Sequence, residues 1–190
     1  MSVHILCVFI RQPIRKTHGN TAIENTKINA ARCLHAFAAP EHIKVYGGAV
    51  APLLRPARHD AEIHGHDGLR GVEGLQPADS DSVRARIASD TDNRAAIEVI
   101  AAAISETWNA GAGAKVTIVA SGPLTNIALF VSVYPHLLEA IERIVFMGGG
   151  IGIGNRSAVA GASQIQNPIS LEAQLLLQFL SPPQIRFAFI

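Results

Sequence analysis

The stretch from Val116 to Asn155 contains residues whose types and spacing suit the binding of a small molecule. One apolar run ends there at Ser121-Gly122-Pro123, and a second ends at Met147, before three glycines and the pair Gly154-Asn155. An open α/β sheet forms its binding crevice where its strands end in such small and polar residues. The pattern therefore predicts that Ser121 and Met147 border one site.

The glycine-rich run Gly148–Gly154 has the composition of a phosphate-binding loop, which is the chemistry of nucleotide-binding proteins. No register of this run reads G-x-G-x-x-G, however, and no lysine follows it as a P-loop requires. We therefore favour a tight turn with close approach of the backbone.

A histidine pair offers metal chemistry as another alternative. His64-Gly65-His66-Asp67 resembles the start of the H-x-H-x-D-H run of metallohydrolases, but Asp67 comes one place early and Leu69 stands where the third ligand belongs. A zinc site is therefore not favoured. Asn20 and Asn155 each follow a glycine and, taken alone, fit ordinary turn residues.

The elements that must position these residues follow from periodicity and turn signals. Thr21 and Glu24 have the spacing of a capping box in front of an apolar helical pattern, which predicts a helix from about Thr21 to Ala38. Further strands are predicted at Ile43–Tyr46, Val116–Ala120 and Ile144–Met147, and further helices at Ala95–Trp108 and from Pro123 onward. The last two strands flank a helix in a βαβ crossover, so we expect them to be parallel.

The segment between Pro52 and Pro77 has glycines, prolines and histidines but no periodicity. A loop of this length in a compact domain is usually functional or mobile. We therefore expect this segment to be able to close over a site.

Composition narrows the class of protein to a single small globular domain. The 190 residues are 48% hydrophobic with a formal net charge of +1, which gives no reason to expect disorder or attraction to nucleic acid or anionic membranes. Cys7 and Cys33 lack the spacing of a disulfide scaffold or zinc knuckle, so we interpret them as buried thiols. The apolar run Val3–Ile10 is too short to span a bilayer and precedes its basic residues, which favours a buried strand in a cytoplasmic protein.

Four blocks of sequence, in this order and spacing, resemble the inosine-uridine-preferring nucleoside hydrolase family. They are Thr17-His18-Gly19-Asn20, the run Ile63–Leu69, the turn Ser121–Asn126, and Ile144–Gly150 followed by Gly154-Asn155. The resemblance covers roughly Thr17 to Ala160 and implies an α/β fold with an open, mostly parallel sheet and flanking helices, incomplete in this chain. We accordingly predict a partial nucleoside hydrolase domain over residues 1–160 and a divergent C-terminal tail over residues 161–190.

This resemblance implies hydrolysis of the N-glycosidic bond of purine or pyrimidine ribonucleosides to ribose and free base, a reaction of nucleoside salvage and catabolism. In the family, calcium binds the attacking water and the ribose hydroxyls, and an aspartate takes the proton of the water. Ser121 matches the residue whose main-chain carbonyl binds that calcium. Asn20 and Asn155 match asparagines that approach the ribose. Met147 matches a residue packed under the sugar, and His64 matches a residue of a mobile loop near the base.

The chain departs from the family pattern at the acidic residues. The family begins with an aspartate-rich strand end of the form D-x-D-x-G-x-D-D, whereas no acidic residue precedes Thr17 here. The run Ala160-Gly161-Ala162-Ser163 also stands where the family reads Ala-Glu-Phe-Asn. We therefore assign no catalytic residue in this chain and expect it not to bind calcium. The expected partner is a nucleoside rather than nucleic acid or a membrane, and family members are often homo-oligomers.

The tail beyond Ala160 is rich in glutamine, carries few charges and looks unlike the C-terminal half of the family. We favour a frame-shifted or mis-spliced end, or an incorrect gene model, over a divergent native helix at Ser170–Leu180. The functional hypotheses are a nucleoside hydrolase seen through an incomplete chain and a non-catalytic pseudoenzyme or interaction fragment. In either case we expect a poorly packed tail and strands that are apolar on both faces, with a tendency to associate.

Overall fold

The structure, a computed structural model, describes residues 6–8, 14–16, 21–53, 59, 61–88, 95–147 and 185–188. Its strands are β1 (Leu6–Val8), β2 (Ile14–Lys16), β3 (Val45–Gly47), β4 (Val116–Ala120), β5 (Ile141–Met147) and β6 (Ile185–Ala188). Its helices are α1 (Ile23–Ala36), α2 (Ala61–His64), α3 (Asp81–Arg84), α4 (Ala96–Trp108) and α5 (Thr125–Val133), with 3₁₀ turns at Asn109–Gly111 and Pro135–Ala140. None of these described helices is long and apolar enough to cross a membrane.

All these strands belong to one six-stranded sheet in the order β3-β2-β1-β4-β5-β6. β2 and β3 pair in parallel, and so do β4, β5 and β6. β1, which lies within the predicted strand Val3–Ile10, is antiparallel to both of its neighbours. β2 and β4 therefore run in the same direction, and β1 is the reversed strand between them. The predicted α/β fold with a mostly parallel sheet and flanking helices is confirmed.

The register of the sheet places the carboxyl ends of the parallel strands at one edge, which we call the carboxyl edge. Ala120 of β4 lies opposite Phe146 of β5 on one side and opposite Leu6 of β1 on the other. Ser121 and Met147, the next residues along the chain after these two, are therefore level with each other, and their sharing of one site stays a prediction. Because β1 is reversed, its amino end lies at this edge.

Helix α1 begins at Ile23 and ends at Ala36, inside the predicted helix at both ends. Ala22 rather than Thr21 is the N-cap residue, and its side chain makes no capping hydrogen bond. The predicted capping box is therefore wrong. Thr21 instead donates its hydroxyl to the carbonyl oxygen of His66, 3.2 Å away and 45 residues further along the chain.

The crossover between β4 and β5 agrees with the sequence-based prediction. β4 spans Val116–Ala120 as predicted, and β5 contains the predicted run Ile144–Met147 but begins earlier, at Ile141. Strand β3 starts at Val45, two residues after the predicted start, because the amide of Ile43 still donates to the Pro40 carbonyl in a turn.

The main hydrophobic core lies between this crossover and α4. Seven of its large side chains are each at most 1% exposed: Ile100, Ile104, Ile118, Ile127, Phe130, Ile141 and Ile144. The opposite face of β4 is different, since Thr117 and Val119 are only half-buried. Thr117 donates its hydroxyl to the exposed Glu142, which also pairs with Arg143 at 2.7 Å. The expectation that these strands are apolar on both faces is therefore wrong at Thr117 of β4, whereas Glu142 and Arg143 lie before the run Ile144–Met147 for which it was made.

Part of the tail belongs to the sheet. β6 pairs in parallel with β5, from Ile185 opposite Ile144 to Ala188 opposite Met147. The expectation of a poorly packed tail is corrected for these four residues, whose backbone continues the sheet. A strand this short has too little local pattern to be predicted, and its pairing with β5 decides its structure. The division of the chain at residue 160 stays a prediction.

The two cysteines lie in different elements, Cys7 in β1 and Cys33 in α1. Cys33 is half-buried rather than buried, which corrects the interpretation from sequence. The face of α1 that packs against β3 and α3 is formed instead by Ala30, Ala31 and Leu34.

Candidate functional site

The turn after β4 approaches the segment after β3 at the carboxyl edge. Ser121 follows the last residue of β4 and is half-buried. Helix α5 begins four residues later, and its first two residues, Thr125 and Asn126, are each only 1% exposed. The carboxamide oxygen of Asn126 accepts a hydrogen bond of 2.9 Å from the main-chain amide of Ala49. The segments after β3 and β4 are therefore joined directly.

His64 lies at the other end of the predicted constellation, as the last residue of the short helix α2. It is half-buried, and its carbonyl oxygen accepts a hydrogen bond of 2.7 Å from the amide of Arg70. This bond closes the chain from His64 to Gly71 into a compact turn, which we call the His64 turn. Arg70 adopts a positive φ of 55°, a conformation that non-glycine residues rarely adopt and that marks a constrained segment.

Three side chains near the start of α1 hold the His64 turn in place. Asn25 donates its amide to the His66 carbonyl at 2.9 Å, alongside the hydroxyl of Thr21. Asn29, which is 7% exposed, donates its amide to the Asp67 carbonyl at 2.7 Å. The described part of the segment between Pro52 and Pro77 is therefore docked on α1 by hydrogen bonds. Thr21, which follows Asn20 in the sequence, is thus tethered to the His64 turn.

Asp67 shapes the same turn with its carboxylate. One carboxylate oxygen accepts from the amide of Leu69 at 3.0 Å, and Gly71 donates its amide to the carboxylate at 3.2 Å. The hydrogen bond from Leu69 lowers the pKa of Asp67 most, partial burial opposes it, and the bond from Gly71 lowers it further. The carboxylate that sequence placed near a metal-binding pattern thus binds main-chain N–H groups.

The lowered pKa of Asp67 predicts how the stability of the fold depends on pH. A carboxyl group whose folded-state pKa is depressed stabilises the fold above the ordinary value of 3.8, and this contribution is lost as the pH falls through the lowered pKa. We expect Asp67→Asn to be less stable than wild type at pH 6, with the difference shrinking as the pH falls below about 4. Urea unfolding of both proteins at a series of pH values measures this difference in the free energy of unfolding. A difference that is constant with pH would contradict the role of the charge.

A lysine near this edge was not predicted from sequence. The side chain of Lys27, on α1, passes over Gly47 at the end of β3, where a Cβ built on Gly47 would lie 3.3 Å from Cδ and 3.8 Å from Nζ of the lysine. Gly47 therefore leaves the space that the lysine stem occupies. Only the position of the half-buried Lys27 in the tertiary structure identifies it, since it belongs to no sequence motif that we recognised.

In the described ranges, no group of three or more histidine, cysteine, aspartate or glutamate side chains is placed to hold a metal ion. The described edge offers main-chain carbonyls and amides and the ammonium group of Lys27. Such groups bind sugar hydroxyls by hydrogen bonds.

The predicted site residues are described to different extents. His64 and Ser121 are described in full, on α2 and after β4. Met147 is the last residue of β5, where its backbone pairs with Ala188. Asn20 and Asn155 lie outside the described residues. Asn126 enters the sequence pattern only as the end of a block, although an asparagine in the first turn of a mostly apolar helix is a signal that could have singled it out.

The amino-acid sequence is similar to a family of nucleoside hydrolases and to two bacterial ribonucleoside hydrolases. The profile of the family described as inosine-uridine preferring nucleoside hydrolase matches residues 12–172. The chain is 34% identical over 154 residues to the pyrimidine-specific ribonucleoside hydrolase RihA of Klebsiella pneumoniae, covering 81% of this chain and 44% of the relative. It is 36% identical over 137 residues to the non-specific ribonucleoside hydrolase RihC of the same species, covering 72% and 40%.

Solved structures show the same likeness at the level of the fold. The purine-preferring ribonucleoside hydrolase from Gardnerella vaginalis matches with a TM-score of 0.68 at 23% identity, covering 92% of this chain and 51% of that one. The chain therefore spans about half, or less, of the length of the relatives that it matches.

Proposed function

The chain belongs to the inosine-uridine preferring nucleoside hydrolase family, and on that premise we propose that the carboxyl edge of its sheet binds a ribonucleoside. The reaction proposed for the whole protein is hydrolysis of the N-glycosidic bond to ribose and free base. The observation that carries the proposal is the convergence of the predicted segments, since the turn after β4 is level with the end of β5 and is joined to the segment after β3. The docking of the His64 turn on Thr21, the residue that follows Asn20 in the sequence, supports it.

The proposed contacts follow from the chemistry of these groups. Asn20 and Asn155 each offer an amide donor and a carbonyl acceptor to ribose hydroxyls. Met147 packs beneath the sugar, and the imidazole of His64 stacks on the base or donates to it. Assembly into oligomers and a cytoplasmic location stay predictions.

Calcium does not fit the residues of this chain. The ion takes about six to eight oxygen ligands, most of them carboxylates and carbonyls. Ser121 offers one main-chain carbonyl, and no acidic residue precedes Thr17; the first, Glu24, is an exposed residue of α1. The proposed function therefore does not include calcium.

A second candidate function is nucleoside binding without turnover, which the lack of acidic residues before Thr17 favours. Hydrolysis requires a group that takes the proton of the attacking water. The strand that occupies the centre of the carboxyl edge, β1, is reversed, and the residues before Thr17 contain no carboxylate. For the 190-residue chain, binding without hydrolysis is accordingly the expected behaviour.

Titration calorimetry of the purified chain with uridine and inosine tests the proposal. We expect weak, millimolar binding that is the same with and without calcium, because the contacts are hydrogen bonds from the protein and no metal is held. Calcium alone is expected to give no measurable heat. Asn20→Ala and Asn155→Ala should each weaken nucleoside binding, and 2′-deoxyuridine should bind more weakly than uridine.

Two results would overturn parts of this proposal. A folded chain that binds neither nucleoside would refute the assignment of the edge. Micromolar calcium binding that strengthens nucleoside binding would show that the chain supplies metal ligands that its sequence does not indicate.

A further inference from the structure

A buried amide joins two segments of the carboxyl edge that are otherwise far apart in sequence. Asn126 is 1% exposed, and its carboxamide oxygen lies 2.9 Å from the amide nitrogen of Ala49, 77 residues away. A buried polar side chain is costly unless its hydrogen bonds are satisfied, and an apolar residue would fill the same space without that cost. An asparagine at this buried position therefore depends on its hydrogen bonds to offset the cost of its burial.

Both elements that the bond joins are held by other contacts. Helix α5 is anchored by Ile127 and Phe130, each fully buried in the main core. Strand β3 is anchored by Val45, which is fully buried and exchanges main-chain hydrogen bonds with residues 86 and 88, at 2.8 Å and 2.9 Å. The helix and the strand thus keep their places by packing, and the bond acts on the segments that follow β3 and β4.

We infer that Asn126 is a positioning residue for the nucleoside site: it sets the segment Gly48–Leu53 against the turn that begins at Ser121. This inference rests on the proposed function. Asn126 does not touch the nucleoside and acts through the main chain of the segment after β3. That segment is thereby made one wall of the site, fixed at a constant distance from the turn after β4.

Asn126→Leu removes the acceptor oxygen while it keeps a similar volume, and Asn126→Asp keeps an acceptor oxygen in the same place. Val131→Ala is the matched control, because Val131 is fully buried in the same helix and the change removes only core contacts. The readouts are the dissociation constant for uridine from NMR titration of the ¹⁵N-labelled chain, the amide shift of Ala49, and the midpoint of thermal unfolding.

We expect Asn126→Leu to weaken uridine binding at least tenfold and to move the Ala49 amide resonance upfield, since the amide proton is less deshielded once its hydrogen bond is lost. Asn126→Asp should retain the Ala49 shift and bind uridine more tightly than Asn126→Leu, since it keeps an acceptor oxygen, although its buried carboxyl group should lower the unfolding midpoint. Val131→Ala should lower the unfolding midpoint without weakening binding.

The outcomes separate this inference from the proposed function. If wild type binds uridine and Asn126→Leu binds equally well, the positioning role is refuted and the binding site stands. If Val131→Ala weakens binding as much as Asn126→Leu, the effect belongs to general destabilisation and the inference is refuted. If folded wild type binds no uridine, the proposed function fails and this inference fails with it.

Discussion

Gly68→Ala is expected to lower the free energy of unfolding by about 2–4 kcal/mol, the largest stability effect that we predict for a single methyl group in the His64 turn. Gly68 has a φ of +82°, in the left-handed region that favours glycine. A Cβ at this position would lie 2.4 Å from Cγ2 of Thr21 and 3.2 Å from Nδ2 of Asn29. The added carbon therefore pushes the turn away from Thr21 and Asn29, two of the three side chains that hold it.

Gly71→Ala is the matched control for this change. Gly71 also has a positive φ, +66°, but a Cβ built there meets nothing within 4 Å. We expect it to lose only the backbone contribution, about 1 kcal/mol. Urea unfolding of both variants measures the difference, and equal losses would show that close packing of Gly68 on α1 is not the cause.

The 190-residue chain is expected to release no base from inosine or uridine above the uncatalysed background. Loss of one positioned acid or base lowers an enzymatic rate by about 10² to 10⁴. Here the carboxylates that would bind metal and the one that would take the proton of water are absent from the residues before Thr17. Chromatographic detection of free base over long incubation measures the rate.

Circular dichroism and a nucleoside titration on the same sample show whether an inactive chain is folded and able to bind. Base release that Asn20→Ala abolishes would show that the chain has a proton acceptor at this site that we have not identified. Base release that survives both Asn20→Ala and Asn155→Ala would show that the active site lies elsewhere on the molecule.

The docking of the His64 turn connects stability with recognition. The bond from Thr21 to the His66 carbonyl lies one residue from Asn20, the proposed ribose contact. On the proposed assignment, a displacement of the turn affects both His64, proposed to contact the base, and the proposed ribose contact Asn20. We therefore expect Gly68→Ala to weaken nucleoside binding as well as folding, although Gly68 offers no side chain to a ligand.

Much of the fold was predictable because it depends on local patterns. The apolar run Val116–Ala120 forms β4 at the predicted residues, and the helix pattern ending at Trp108 forms α4. The spacing of strand, helix and strand was enough to predict that β4 and β5 are parallel, since crossovers of this length join parallel strands. The family was likewise predictable from sequence, because four short blocks in a fixed order are far more specific than any one of them.

Other features could be decided only by tertiary structure, because they join residues that are distant in sequence. The reversed direction of β1 and the recruitment of Ile185–Ala188 as β6 depend on the neighbouring strands, since three or four residues contain too little pattern to specify a partner or a direction. The capping box failed because the hydroxyl of Thr21 has a distant partner in His66. The carboxamide oxygen of Asn126 likewise accepts its hydrogen bond from a distant residue, the amide of Ala49, 77 residues away. The sequence was enough to predict which residue types lie near the carboxyl edge. Only the folded chain shows which of them are hydrogen-bonded to each other, because these bonds depend on distance in space rather than on spacing along the chain.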